Sequence, residues 1–272
     1  MRLSGSLAAL AAVAVVVAQG GCGGGGQKPD AGAGGTGGAG GGMPPDVVDA
    51  MDLLSDFEEG RAIVLPLGSP ARNGAWYAYN DGTCLQSPAH GDGYYASTPA
   101  ALAPGVSRGR ALHVNWNQCN GWGAGAGTDF ASPATDGGAV PARPRTPYDL
   151  TPYVGVAFWA MATPGTETNV RLKMVMRAST QQIDGGACDE SILGVDKCGD
   201  EWGLPFSLPA DGTWKPVSVR FSDPAFKPEG WGAMFAWNPA DVLGIQFQSV
   251  RTLTPNPSAL YDFWIDDIYL VR

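Results

Sequence analysis

The stretch Val170-Arg171-Leu172-Lys173-Met174-Val175-Met176-Arg177 alternates apolar and charged side chains. A period of two sends successive side chains to opposite faces of a β-strand and matches no face of a helix. Val217-Ser218-Val219-Arg220-Phe221 repeats the pattern. No long stretch carries helical periodicity. Apolar runs are short, β-branched or aromatic, and are broken by Gly, Pro, Asn and Asp. Strands are expected at Ala111–Trp116, Val154–Met161, Val170–Arg177, Pro216–Phe221, Val242–Ser249 and Asp262–Val271. Many short strands between turn signals predict an all-β fold, a two-sheet antiparallel β-sandwich of jelly-roll type. Phe158, Trp159, Phe247, Trp264 and Ile268 are expected core members, and residues 132–147 a long loop.

This domain is expected over residues 52–272. Ahead of it, Met1-Arg2 supplies a positive start, Leu7 to Ala18 is an unbroken apolar run, and Gly20-Gly21 lead to Cys22. The run is shorter than the ~20 residues a spanning helix needs. Charged start, apolar centre and small residues are the parts of a secretory signal. Gln19-Gly20-Gly21-Cys22 resembles a bacterial lipobox, with Gln19 in place of the usual aliphatic residue. The expectation is therefore a signal peptide over residues 1–21, lipidation of Cys22 as a membrane anchor, and export to the cell envelope, at the outer membrane or cell surface. Residues 22–51 are mostly glycine up to residue 42 and bury too little apolar surface to fold. They read as a disordered, flexible tether with an average reach of roughly 30 Å.

The chain has five cysteines. With Cys22 lipidated, Cys84, Cys119, Cys188 and Cys198 remain for disulfides in an oxidising compartment, with three possible connectivities. Pairing of near neighbours, Cys84 with Cys119 and Cys188 with Cys198, is favoured. Metal ligation by the four is the alternative, but no C-x-x-C spacing is present. The formal charge of −9 disfavours a nucleic-acid partner, because an acidic surface repels phosphate. It suits a soluble monomer that meets neutral or cationic ligands.

Several motifs follow in order: Ser55-Asp56-Phe57-Glu58-Glu59-Gly60, Trp76-Tyr77-Ala78-Tyr79, Gly121-Trp122-Gly123-Ala124-Gly125, Tyr148-Asp149-Leu150-Thr151-Pro152-Tyr153, Trp202-Gly203-Leu204-Pro205-Phe206, Gly212-Thr213-Trp214-Lys215 and Phe263-Trp264-Ile265-Asp266-Asp267-Ile268. Together they resemble carbohydrate-binding module family 11 and its galactose-binding-like jelly-roll relatives, over about residues 52–272. The resemblance implies a non-catalytic module that binds a polysaccharide on a concave sheet. Aromatic side chains would stack there on sugar rings. It points to Tyr79, Trp122, Trp202, Trp231 and Gln246 as glycan-binding residues. Gln246 and Ser249 depart from the histidine and tyrosine of the family pattern. It also implies a structural Ca2+ between the first and last strands, held by Glu58 and Asp266 with Asp56 as a further ligand. Calcium takes six to eight oxygen ligands, carboxylates among them.

Two other function classes stand beside this one: a structural or adhesive jelly roll without a sugar site, and a carbohydrate-active enzyme. Gly105-Val106-Ser107-Arg108-Gly109 fits G-x-S-x-G, but a nucleophile elbow needs a following helix. Here the strand Ala111–Trp116 follows. His90 and His113 are the only histidines, too few for a multi-histidine metal site. Asp184, Asp189, Glu190, Asp196, Asp200 and Glu201 are numerous enough to supply the two carboxylates of a glycosidase. Their crowding around Cys188 and Cys198 reads instead as a hydrogen-bonding rim or a second cation site.

Overall fold

Two antiparallel sheets form the domain in a computed structural model that describes residues 52–58, 60, 62–97, 109–131, 145–194, 197–251 and 256–272. One sheet contains β1 (Leu53–Ser55), β3 (Leu85–Ser87), β4 (Leu112–Asn117), β6 (Gly155–Ala162), β9 (Lys215–Arg220) and β11 (Tyr261–Val271). Its order is β3-β4-β11-β6-β9, with β1 paired to the far half of β11. The other holds β2 (Tyr77–Asn80), β5 (Ala124–Asp129), β7 (Asn169–Met176), β8 (Trp202–Ser207) and β10 (Val242–Ser249), in the order β2-β5-β10-β7-β8. From β4 onward the chain changes sheet at every step except β7 to β8, as a jelly roll does. The chain divides into two units, Met1–Ala39 and Gly40–Arg272. The signal segment, Cys22, the Gly-rich tether, residues 105–108 of the G-x-S-x-G match, Asp196 and residues 132–144 lie outside the described residues.

Alternation decides what enters the core. Along β7, Val170, Leu172, Met174 and Met176 join the cluster between the sheets, while Arg171 and Lys173 take the opposite face. Along β10, Ile245 and Phe247 point inward. The Phe247 ring meets Phe158 edge-on at 5.0 Å, Trp76 at 5.9 Å and Phe206 at 6.4 Å. Phe158, Phe247 and Ile268 are core residues as expected. Trp159 and Trp264 are not. They lie on the outer face of the six-stranded sheet, in a separate cluster with Ala111, Met161 and Trp214. The reason is register: Phe158 points inward, so Trp159 beside it points outward.

All six strands expected from the sequence are present, with ends shifted by one residue or less. The others had weak signals. β5 reads Ala-Gly-Ala-Gly-Thr-Asp, without large apolar residues. β8 contains Pro205, tolerated because β8 is an edge strand. Both favoured disulfides are formed, Cys84–Cys119 and Cys188–Cys198, with Cα separations of 4.1 and 5.8 Å. Arg272 Nε donates to both carboxylate oxygens of buried Asp52, at 2.8 and 3.1 Å, and ties the two ends of the domain together.

Candidate functional site

The outer face of the five-stranded sheet carries the site, and its floor begins with missing side chains. β5 presents Gly125 and Gly127 to this face. A Cβ on Gly125 would stand 2.6 Å from the Tyr79 ring and 2.4 Å from the Phe247 carbonyl oxygen. On Gly127 it would stand 2.8 Å from Gln246 and 3.1 Å from the Tyr77 ring. The two tyrosine rings therefore lie across β5, their centroids 6.1 Å apart. Tyr79 Oη donates to Gln248 Oε1 at 3.3 Å, and Lys173 Nζ donates to the same oxygen at 3.0 Å. Burial raises the Tyr79 hydroxyl well above its ordinary range and the Tyr77 hydroxyl to about 12. Both remain neutral at any physiological pH.

One part of this face is closed by polar groups. Arg145 makes a two-pronged ion pair with Asp129, Nε to Oδ2 at 2.6 Å and Nη2 to Oδ1, and both residues are buried. Arg171 donates to the backbone oxygens of Glu201 (3.3 Å) and Lys227. The buried Glu201 carboxylate accepts from Met176 N at 3.1 Å and from the Ser179 hydroxyl. Burial pushes the Glu201 carboxyl up and the Lys173 ammonium down.

The rest of the face opens into a cleft of about 370 Å³. Its aromatic walls are Tyr79, Trp122 and Trp231, and its polar lining includes Lys173, Gln181, Glu190, Glu229, Gln248 and Arg251. Tyr79 and Trp122 stack with centroids 5.9 Å apart at an interplanar angle of 29°. Arg251 lies 4.6 Å over the Trp231 ring, within cation–π range.

Each tryptophan sits on a loop pinned by a carboxylate. Asp81 Oδ2 accepts from Gly121 N and Gly123 N, both at 2.9 Å, and so brackets Trp122. Partial burial works to raise the Asp81 pKa, but bonds from Thr83, Gly123 and Gly121 hold it below the usual carboxylate value. Gly123 has φ +108°, and a Cβ there would overlap Ser249 Oγ at 1.9 Å. Cys84–Cys119 anchors the same loop. Around Trp231, buried Asp200 accepts from Glu229 N (2.8 Å), Gly230 N (2.7 Å) and Gly232 N (3.1 Å). Cys188–Cys198 fixes the adjoining segment, where Lys197 O accepts from Ala233 N at 2.8 Å and the one-turn helix α1 (Glu190–Leu193) is capped by Asp189 accepting from Ser191 N at 2.9 Å.

Three of the five expected glycan residues, Tyr79, Trp122 and Trp231, thus share one cleft. Trp202 does not join them. It lies opposite Met174 in register and so faces the core, where Nε1 donates to Phe235 O at 2.7 Å beside Phe226 and Trp237. Gln246 is on the right face but outside the cleft, its Nε2 donating to Tyr77 Oη at 3.4 Å. Gln248, two residues on, takes the polar position instead. Parity along β7 and β10, with Met174 and Phe247 inward, is the signal that places Lys173 and Gln248 on the outer face. Glu229 and Arg251 lie in irregular segments, where no periodicity announces them.

The expected calcium ligands lie where the first and last strands meet. Asp266 is buried, and its carboxyl is pushed up to about 8, first by burial and then by Asp267, Glu58 and Asp56. Glu58 Oε1 accepts from Arg110 N at 3.2 Å, and Asp266 Oδ1 from Asp267 N at 2.9 Å. The donors are all oxygens, which suits calcium. Among the described residues, no three His, Cys, Asp or Glu side chains group as ligands of one metal ion. His113 stacks on Trp264 at 3.9 Å and bonds Asp262 at 2.7 Å, and His90 Nδ1 accepts from Asn80 N at 3.0 Å.

Asp200→Ala removes the acceptor of three backbone N–H groups at once. Loss of stability of about 1–3 kcal/mol is expected, together with a changed Trp231 fluorescence environment. Denaturant unfolding followed by tryptophan emission measures both.

No family model and no curated protein matches the chain. Among solved structures it is similar to the family 11 carbohydrate-binding module of the cellulosomal cellulase Lic26A-Cel5E of Clostridium thermocellum, with 16% identity, 80% of this chain and 92% of that one covered, and a TM-score of 0.42. It is similar to a family 28 module specific for non-crystalline cellulose, with 10% identity, 85% and 97% covered, and a TM-score of 0.39. An exo-β-agarase matches with 11% identity, 80% of this chain and 24% of that one covered, and a TM-score of 0.41. The chain thus resembles carbohydrate-binding modules of families 11 and 28, while its two-sheet fold stands on its own strands and its function on its own cleft.

Proposed function

We propose that the domain is a non-catalytic module that holds a neutral polysaccharide, such as a β-glucan, in the cleft between Tyr79, Trp122 and Trp231. The observation that carries this reading is the convergence of three aromatic side chains over hydrogen-bonding groups. Tyr and Trp offer large rigid apolar faces with a polar handle, which matches the apolar faces and equatorial hydroxyls of a pyranose. Lys173 and Arg251 offset Glu190 and Glu229 in charge, which favours an uncharged ligand. A structural jelly roll would have its whole face filled; here filling stops at Lys173 and Gln248.

Tyr79→Ala, Trp122→Ala and Trp231→Ala are each expected to weaken β-glucan binding roughly 10–30-fold, about 1.4–2 kcal/mol, with the folded circular dichroism spectrum retained. Affinity electrophoresis reads the loss, and a glycan array without any bound polysaccharide would sink the proposal. One observation favours hydrolysis as a second reading: Glu190 and Glu229 both line the cleft. Each is engaged, Glu190 Oε1 by Cys198 N at 3.4 Å and Glu229 Oε2 by Trp231 Nε1 at 3.2 Å, so binding is preferred. Reducing ends released by the wild type but not by Glu190→Gln or Glu229→Gln would establish the enzyme instead.

The sequence before the domain supports a tethered form, with lipid on Cys22 and the Gly-rich stretch as spacer. Among the described residues no helix is long and apolar enough to cross a membrane. Palmitate labelling is expected in the wild type and lost in Cys22→Ser; unchanged labelling removes the anchor.

Calcium at Asp266, Glu58 and Asp56 is proposed on donor chemistry. Bound there, the ion would offset the burial and the neighbouring carboxylates that raise Asp266, and pin the ends of the domain. Saturating calcium is expected to raise Tm, by about 2.7 kcal/mol of stability at a hundredfold excess over Kd. Asp266→Asn abolishes the effect. A melting curve unmoved by calcium or chelator removes the ion from the account.

A further inference from the structure

We infer that the polysaccharide site continues past Trp122 into a second cleft at one end of the sandwich, so that the module reads an extended chain rather than a short epitope. This rests on the glycan-binding reading of the first cleft. The second cleft is the larger, about 470 Å³. It lies where β4 and β8 end and where β5, β7 and β11 begin. Trp122 lines both clefts.

The chemistry of the second cleft repeats that of the first. Tyr261 and Phe206 supply apolar surface to the lining, the partly buried Tyr261 backed by the buried Trp116 ring at 4.9 Å and 23°. Glu167, Asn169 and Ser207 supply polar groups along the lining, Ser207 Oγ donating to Asn169 Oδ1 at 3.2 Å. An apolar wall beside hydroxyl and carboxylate groups fits the same alternation of apolar ring faces and hydroxyls that suits the first cleft. A chain stacked on Trp122 would therefore meet a matching surface on either side of that ring. The occupant is the same neutral polysaccharide chain, entering from the first cleft.

The test is calorimetry of the full chain with β-1,3-1,4-glucan oligosaccharides from trisaccharide to octasaccharide. Wild-type affinity is expected to rise with length, the octasaccharide binding about tenfold tighter than the trisaccharide, ~1.4 kcal/mol. Ser207→Trp, an exposed position on edge strand β8, fills the second cleft and should abolish that increment while leaving trisaccharide binding unchanged. The double variant Glu167→Gln/Asn169→Ala, milder for folding, should reduce the increment in the same direction. Trp122→Ala should weaken short and long chains alike. A direct reporter is the Trp116 indole N–H, buried and without a hydrogen-bond partner in the protein. Its NMR resonance should shift with the octasaccharide and stay in place with the trisaccharide. Wild-type affinity independent of length, or a full increment retained in both variants, overturns the second cleft while the first stands. Absence of binding at every length overturns both.

Discussion

The close approach of two tyrosine rings to a glycine-floored strand is the constraint on which the functional face depends. β5 is sandwiched between β2 and β10, and Gly125 lies opposite Tyr79 on one side and Gln248 on the other. A methyl group at Gly125 would collide with the Phe247 carbonyl as well as with the Tyr79 ring. The conflict is therefore with the backbone of the sheet and not only with a movable side chain. Without a Cβ, the ring of Tyr79 lies down, reaches Gln248 with its hydroxyl and offers its face to Trp122. Tyr77 repeats the arrangement over Gly127, with Gln246 as partner. A pair of small residues thus converts an edge strand into an aromatic floor.

What surrounds that floor is polar and partly buried, which is costly unless every charge finds partners. Asp129 and Arg145 meet in a two-pronged geometry. Glu201 collects a backbone N–H and a hydroxyl. A buried ion pair of this kind is weak evidence for stability, because desolvation offsets most of the attraction. Its structural effect is plainer: it fills the face beside Tyr77 and leaves the end near Tyr79 open. Lys173 stands at the boundary, with burial lowering its pKa and Gln248 accepting its hydrogen bond. A broad sheet face thereby becomes a walled cleft with a defined direction.

Period-two patterning was the legible part of the sequence. With the short β-branched and aromatic runs it gave six strands, and it marks the outward residues of β7 and β10 by parity alone. The same rule corrects the errors. Trp159 is adjacent to inward Phe158 and must point away from it; Trp202 pairs with inward Met174 and must share its side. The two disulfides join cysteines that are neighbours in sequence order, 35 residues apart for Cys84–Cys119 and 10 for Cys188–Cys198. β5 was illegible for a physical reason: its strand character comes from neighbours on both sides, not from its own alanines and glycines. Trp231 and Glu229 belong to a loop whose shape depends on Asp200, a contact that no local pattern encodes, and Arg251 lies in an irregular segment after β10.

The placement of the rigidifying elements bears on function more than the aromatic count does. Neither disulfide crosses the core, where Phe247, Phe158 and Trp76 already pack. Cys84–Cys119 anchors the loop of Trp122, and Cys188–Cys198 fixes the segment that packs beside Trp231. Asp81 and Asp200, two carboxylates that gather backbone N–H groups, are on the loops that present these same two rings. A fold that needed only stability would gain as much from such devices elsewhere. Ordering side chains and loops on binding costs about 0.5–1.5 kcal/mol for each mobile side chain fixed. Loops fixed in advance spare that cost for a ligand that itself arrives flexible. A long polysaccharide is such a ligand, and a row of rings held at fixed spacing, with Trp122 shared between two clefts, is the form of surface that recovers the most binding from it.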